Sequence, residues 1–172
     1  MKTKSIFVMA AMAVLSGCGN QPQEEQAAVE VPPVFVAQAI EGAPVPIPEA
    51  RIRKAGEKVV LTGLVMGIPH PFVEGRAVFV LGDEGTLNPC DLKGDDHCPT
   101  PWDVCCDPAE LKAAGTATIQ VVDDSGKPLR TGLKGVNGLK ELSRVTVAGT
   151  VAPNSSPEAF IVNADAIHIG VR

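Results

Sequence analysis

The sequence predicts a mainly β domain that follows an export signal and a proline-rich segment. From about Glu57 to Ile169, short apolar runs rich in Val, Ile and Thr are separated by Gly, Asp and Pro, a pattern typical of strands joined by turns. A helical turn is indicated at Gly138 to Ser143, where Leu139 and Leu142 are three positions apart. Roughly 110 residues are enough for one modest hydrophobic core, so a single domain is expected.

Five segments of this domain are predicted to be strands. The first contains Gly63, which permits a bend or bulge, and the second and third end in Gly and Asp residues that suit tight turns. The fourth alternates apolar and polar residues with the period of a half-buried strand. In chain order the predicted strands are Val59 to Val65, Ala77 to Leu81, Thr116 to Val122, Arg144 to Val151 and Phe160 to Ile169.

This order of three strands, a short helix and two strands resembles the OB-fold, a small Greek-key barrel. The segments Val145 to Val151 and Ile161 to Ile167 resemble the last two strands of OB modules of the tRNA-anticodon and helicase type. The resemblance covers about residues 57–170 and implies a five-stranded OB-fold-like Greek-key barrel with a short helix and a Cys-rich loop between strands 2 and 3. It consists of strands and glycines and contains no catalytic signature.

The N-terminus has the features of an export signal. Lys2 and Lys4 precede an uncharged run from Ile6 to Leu15, which is too short to span a bilayer. The run ends in Leu15-Ser16-Gly17-Cys18, which resembles the lipobox of bacterial lipoproteins. The resemblance implies cleavage before Cys18 and attachment of a diacylglycerol to its thiol, with fatty acids such as palmitate anchoring the protein to the membrane.

Three segments are therefore expected. Residues 1–17 are the lipoprotein signal peptide, residues 18–56 are the lipidated Cys and a Pro-rich tether, and residues 57–170 are the barrel domain. Six prolines between Gln21 and Ala50 prevent a regular helix there, and Val34 to Val36 is a candidate docking strand.

The expected location is the cell envelope. By resemblance to Gram-negative lipoproteins, Gly19 after the lipidated cysteine favours the outer membrane over the inner one. In such a host the domain faces the periplasm, where disulfides persist.

Composition argues against a nucleic-acid partner. The chain has 15 basic and 20 acidic residues, and removal of Lys2 and Lys4 with the signal leaves 13 basic residues and a net charge of −7. A polyanion is repelled by such a field. With five Phe, one Trp and no Tyr, the chain also offers few rings on which bases could stack.

The distinctive segment is the loop from Cys90 to Pro108, which holds the only Trp and four cysteines, Cys90, Cys98, Cys105 and Cys106. In an exported protein we expect two disulfides, each joining one of the first two cysteines to one of the last two, since a vicinal bridge strains the peptide between its cysteines.

Two other hypotheses concern the same cysteines. With His97 beside them, the thiolates offer a tetrahedral or trigonal site for Zn²⁺ or Cu⁺, although no CxxC spacing is present. The second hypothesis is thiol redox catalysis. Such catalysis needs a thiolate, which the surrounding carboxylates disfavour.

The sequence thus predicts a lipid-anchored extracytoplasmic binding module without enzymatic activity, and we find no catalytic residues. Trp102, between Pro101 and the cysteines, is the expected contact residue for an envelope protein partner, because a rigid aromatic loses little entropy on binding. The alternative role for Trp102 is to cover the cysteines as part of a small satellite core. A metal-binding or thiol-redox envelope protein and an OB-fold nucleic-acid-binding protein are the alternative functions.

Overall fold

The protein is described by a computed structural model that covers residues 32–92 and 98–170. The predicted signal segment, Cys18, the first part of the predicted tether and His97 lie outside the described residues.

Five strands form a closed barrel. They are β1 (Lys58–Val65), β2 (Val78–Gly82), β3 (Thr116–Gln120), β4 (Arg144–Val151) and β5 (Ile161–Ile169). Neighbouring strands follow the order β1-β2-β3-β5-β4, with β4 pairing back to β1. All pairs are antiparallel except β3 with β5. The predicted fold class, an OB-fold-like barrel, is confirmed.

The glycine in β1 lies where this strand changes partner. Lys58 to Leu64 pair with β4, whereas Leu64 and Val65 also pair with Gly82 and Leu81 of β2. A Cβ atom on Gly63 would overlap the backbone carbonyl of Gly82. Glycine is therefore required here because β2 crosses β1 closely as the barrel closes.

Side chains from all five strands fill the interior. Burial alternates along β4, as its sequence pattern predicts. Each strand contributes a fully buried residue at the centre of the barrel, namely Leu61, Phe79, Ile119, Val147 and Ile167. Burial of one such side chain contributes about 1.5–3 kcal/mol, so this core is the main source of stability.

Part of the predicted tether packs against the barrel. Val34, Ile47 and Ala50 are buried in the main core, and Phe35 forms a parallel bridge with Ile167 of β5. A one-turn helix, α1 (Ile47–Ala50), has Pro48 in its first turn, where the missing N–H would have no intrahelical partner. The folded unit thus includes residues N-terminal to the predicted domain boundary at residue 57.

The helix of the barrel lies elsewhere than predicted. The structure has a 3-10 turn at Val136–Gly138, which ends where the predicted helical turn begins, and no helix at residues 139–143, where Leu142 has a positive φ of 61°. Leu139 and Leu142 instead pack into two different clusters. A seven-residue helix, α2 (Ala109–Gly115), lies between the Cys-rich loop and β3.

Candidate functional site: the thiol loop and the Trp102 groove

The Cys-rich loop connects β2 to α2 and has two limbs held together by backbone hydrogen bonds. Within the described residues, the first limb includes a 3-10 turn, Cys90–Leu92, and the second runs from Cys98 to α2. The Cys90 N–H donates to the Asp103 carbonyl at 2.9 Å, and the Asp91 N–H donates to the Pro101 carbonyl at 2.9 Å. The positions of the limbs are thus fixed relative to each other.

A satellite core attaches this loop to the barrel. Leu87 and Val104 of the loop are buried against Leu64 and Met66, and Trp102 and Leu142 pack on the outside of this cluster. The Gly67 N–H also donates to the Trp102 carbonyl at 3.0 Å. The second limb therefore has a rigid base although it contains no strand or helix.

The limbs bring three of the four predicted site cysteines together. The sulfur atoms of Cys90, Cys98 and Cys105, which we call the thiol triad, lie within 4.8 Å of one another. The Cys90 and Cys105 sulfurs are 3.6 Å apart. Burial decreases across the triad, since Cys90 is buried, Cys98 is half-buried and Cys105 is exposed. Cys106 is exposed, with its sulfur 3.7 Å from that of Cys105.

No disulfide joins these four cysteines in the structure. The two predicted disulfides stay a prediction. Cys90 and Cys105 form a pair of the predicted kind, since one comes from the first two cysteines and the other from the last two.

The surroundings of two thiols shift their pKa values in opposite directions. The side-chain hydroxyl of Thr100, 3.4 Å from the Cys98 sulfur, and the Thr100 backbone lower the pKa of Cys98. A hydrogen bond with the Cys90 thiol lowers the pKa of Cys105. A hydrogen bond with Cys106, burial, and charge repulsion by Cys106 and Cys98 together outweigh this effect, so the pKa of Cys105 is raised. Of these two thiols, Cys98 is therefore the one whose neighbours favour the thiolate.

The acidic residues of the loop have separate structural roles. Asp107 accepts a hydrogen bond from the Asn88 N–H at 2.9 Å, and the buried Asp103 accepts one from the Val104 N–H at 2.7 Å. The Lys112 ammonium of α2 lies 3.4 Å from the Cys105 carbonyl. The local charge around the triad is therefore mixed.

Trp102 is half-buried and its orientation is fixed at both ends. Its indole N–H donates to the Pro69 carbonyl at 2.9 Å, while its ring packs on the satellite core. The ring also lines an open groove of about 600 Å³. Trp102 therefore belongs to the satellite core and is also accessible to a partner. Other residues that line the groove include Pro101, Lys140, Glu141, Leu142 and Arg144.

Asp83 was predicted only as a turn residue, but the structure shows that it is also buried. It is 7% exposed and follows β2, where Oδ1 accepts hydrogen bonds from the Gly85 N–H and the Thr86 hydroxyl. Its Oδ2 accepts a hydrogen bond from the Ile47 N–H at 3.0 Å, which links α1 to the barrel. An Asp with a Gly two positions later and a Thr three positions later is a local turn signal, but no local signal predicts the hydrogen bond to α1.

Comparison of the chain with protein-family models, curated proteins and solved structures finds no match. Within residues 32–92 and 98–170, no helix has the length and apolarity needed to cross a bilayer. Any functional assignment therefore depends on the residues themselves.

Proposed function

We propose that this protein is a lipid-anchored binding module of the cell envelope, without enzymatic activity, that presents Trp102 and the adjoining groove to a protein partner. The observation that supports this most is the double fixation of Trp102, by its indole hydrogen bond to Pro69 and by packing on the satellite core. An aromatic residue that is already ordered loses little entropy on binding, which suits a contact residue.

The groove offers both chemistries that protein interfaces use. Leu142 and the Trp102 ring give it an apolar part, and Lys140, Glu141 and Arg144 give it a charged rim. Interfaces commonly combine a desolvated aromatic anchor with such a polar rim. The partner is therefore expected to contribute an apolar side chain flanked by charged groups.

The membrane anchor belongs to the same proposal. It is based on the lipobox-like residues Leu15 to Cys18, and the segment between Cys18 and the docked Val34 gives the domain reach from the membrane. With Gly19 after Cys18, we place the protein at the outer membrane of a Gram-negative host, facing the periplasm.

Site-specific photo-crosslinking in intact envelopes tests the docking site. A photoreactive residue replaces Lys140, which lines the groove, or Lys54, which is exposed and does not line it. We expect a discrete protein adduct from position 140 that is absent from position 54, because only a docked partner stays within reach of the groove.

The dependence on the aromatic side chain is tested with Trp102→Ala and Trp102→Phe. The first removes the ring, and the second keeps a ring but loses the hydrogen bond to Pro69. We expect the adduct to disappear in Trp102→Ala and to weaken in Trp102→Phe, with far-UV circular dichroism unchanged. An adduct that persists in a folded Trp102→Ala protein contradicts the proposed role of the residue.

A further inference from the structure

The convergence of three sulfurs is not explained by docking through Trp102. Cys90 comes from the first limb of the loop, whereas Cys98 and Cys105 come from the second, seven residues apart in sequence. All three sulfurs lie within 4.8 Å of one another. A disulfide joins sulfurs in couples, so it accounts for the approach of Cys90 to Cys105 but not for a third sulfur near both.

One shared cation accounts for all three positions. Sulfurs bound to one metal at about 2.3 Å lie about 3.8 Å apart in a tetrahedral set and about 4.0 Å apart in a trigonal one. The Cys90 and Cys105 sulfurs, 3.6 Å apart, are close to this spacing, and the distances from the Cys98 sulfur to the other two need to shorten by at most about 1 Å to reach it.

We propose that Cys90, Cys98 and Cys105 form a binding site for one Cu(I) ion. Thiolates are soft ligands that select Cu(I), Zn(II) and iron–sulfur clusters among the metals of proteins. Structural Zn(II) sites are almost always four-coordinate, and the described residues bring three such sulfurs together. Cu(I) is satisfied by three thiolates, so the triad is a complete ligand set for this ion.

The triad is held ready by the loop rather than assembled by the metal. The Cys90 N–H is bonded to the Asp103 carbonyl, so the buried cysteine is fixed to the opposite limb. Cys105 directly follows Val104, which is fully buried in the satellite core. Because two of the three ligands are attached to rigid parts of the loop, little ordering entropy opposes binding.

The charge balance of binding also suits a small cation. Three thiols release protons to solvent as they bind Cu(I), which leaves net negative charge at the site. The Lys112 ammonium, 3.4 Å from the Cys105 carbonyl, offsets part of this charge.

Competition for Cu(I) against a chromogenic chelator tests the site. The full chain is extracted in detergent, reduced and kept free of oxygen, and the probe is Cu(I) in the bicinchoninate complex. We expect one Cu(I) per chain, with a plateau at one equivalent. Loss of a metal-orienting neighbour typically costs 10–100-fold in affinity, so loss of a ligand should cost more than about 100-fold.

Serine variants distinguish the triad from a general effect of thiols. Cys98→Ser and Cys105→Ser remove ligands that are not fully buried, so their folding is checked by circular dichroism and little change is expected. Cys106→Ser is the matched control, since Cys106 is exposed, adjoins Cys105 and is not in the triad. Both ligand variants should weaken Cu(I) binding more than about 100-fold. The Cys106→Ser variant should keep a Cu(I) affinity within a few-fold of that of the parent chain.

Several outcomes overturn the proposal. The first is a Cys106→Ser variant that loses as much Cu(I) affinity as Cys105→Ser. The second is binding of two or more Cu(I) ions with no plateau at one equivalent. The third is one-to-one binding of Zn(II) that is tighter than that of Cu(I) in a parallel titration. The fourth comes from intact mass after alkylation of protein isolated from envelopes. If no thiol is alkylated before reduction even after the protein is unfolded and its metal is removed with a chelator, the cysteines are paired as disulfides and the triad is not a metal site in the cell.

Discussion

Two isoleucines five residues apart give a test of whether the proline-rich segment belongs to the folded domain. Ile47 begins α1, is 0% exposed and packs in the main core, and its N–H donates to Asp83. Ile52 follows the same helix and is 85% exposed. The pair Ile47→Ala and Ile52→Ala therefore makes the same chemical change in the same segment, with burial as the main difference.

The expected cost at Ile47 follows from its burial. Replacement by Ala removes three carbon atoms, worth about 2.4 kcal/mol at about 0.8 kcal/mol per buried methylene. The remaining cavity brings the loss in unfolding free energy to about 3–4 kcal/mol, within the range measured for buried Ile. For roughly 130 folded residues this corresponds to a fall in Tm of about 10–15 °C. Ile52→Ala should change the unfolding free energy by less than about 0.5 kcal/mol.

Urea unfolding followed by far-UV circular dichroism measures both variants against the parent chain. A common slope m is required, because a changed slope indicates a change in the surface exposed on unfolding. If Ile47→Ala is as stable as Ile52→Ala, the segment does not contribute its buried side chain to the core in solution, and only the barrel forms the folded unit.

Three further predictions concern the barrel, the anchor and a turn. Gly63→Ala should destabilise the barrel by about 1–3 kcal/mol or more, because its Cβ atom overlaps a backbone carbonyl, whereas Gly170→Ala, with its nearest neighbour 3.9 Å away, should be neutral in the same urea assay. Cys18→Ser should abolish incorporation of labelled fatty acid and move the protein to the soluble fraction; unchanged membrane attachment contradicts the lipid anchor. Hydrogen bonds from the hydroxyl and the backbone N–H of Ser125 lower the pKa of Asp123, and the hydroxyl has the largest effect. Because the pKa of Asp123 is lowered in the folded state, the turn should be fully stabilised above the ordinary aspartate pKa and should loosen as the pH falls through the lowered pKa. The amide NMR shift of Ser125, followed during a pH titration, measures this change. A titration midpoint at or above the ordinary aspartate pKa contradicts the hydrogen bonds from Ser125 to Asp123.

The strands could be predicted because their signals are local. β4 begins and ends at the predicted residues, Arg144 and Val151, since its alternation of apolar and polar side chains reflects one buried face. The third strand was predicted to reach Val122 but ends at Gln120, and Val122 instead bridges to Pro128 across the following turn. Strand ends depend on partners that a local pattern does not contain.

The helix prediction failed in two places for different reasons. The segment after Pro108 is AELKAAG, whose Ala, Glu, Leu and Lys residues are strong helix formers, so α2 had a usable signal that we missed. At Gly138 to Ser143 the spacing of Leu139 and Leu142 suggested a helix, yet these side chains enter different clusters. Tertiary packing overrides a spacing signal as short as one turn.

The docked N-terminal segment and the thiol triad could not be derived from sequence for a common reason. The prolines near Ile47 correctly predict that this segment has no long helix. The burial of Ile47, however, involves a hydrogen bond from its N–H to Asp83, which is 36 residues away in sequence. Likewise four cysteines in one loop do not reveal which three sulfurs meet. That depends on the hydrogen bond between Cys90 and Asp103, which sets the two limbs side by side.

The separation of the two cores has a consequence for how the loop can work. The satellite core contains Leu87 and Val104 of the loop and is distinct from the core inside the barrel. A change at the sulfurs should therefore alter the loop with little effect on the strands. Trp102 lies between Cys98 and Cys105 in sequence, so a ligand shared by those cysteines also restrains the limb that presents the ring. We expect Cu(I) binding and partner docking to be thermodynamically coupled, each increasing the affinity of the other by the same factor.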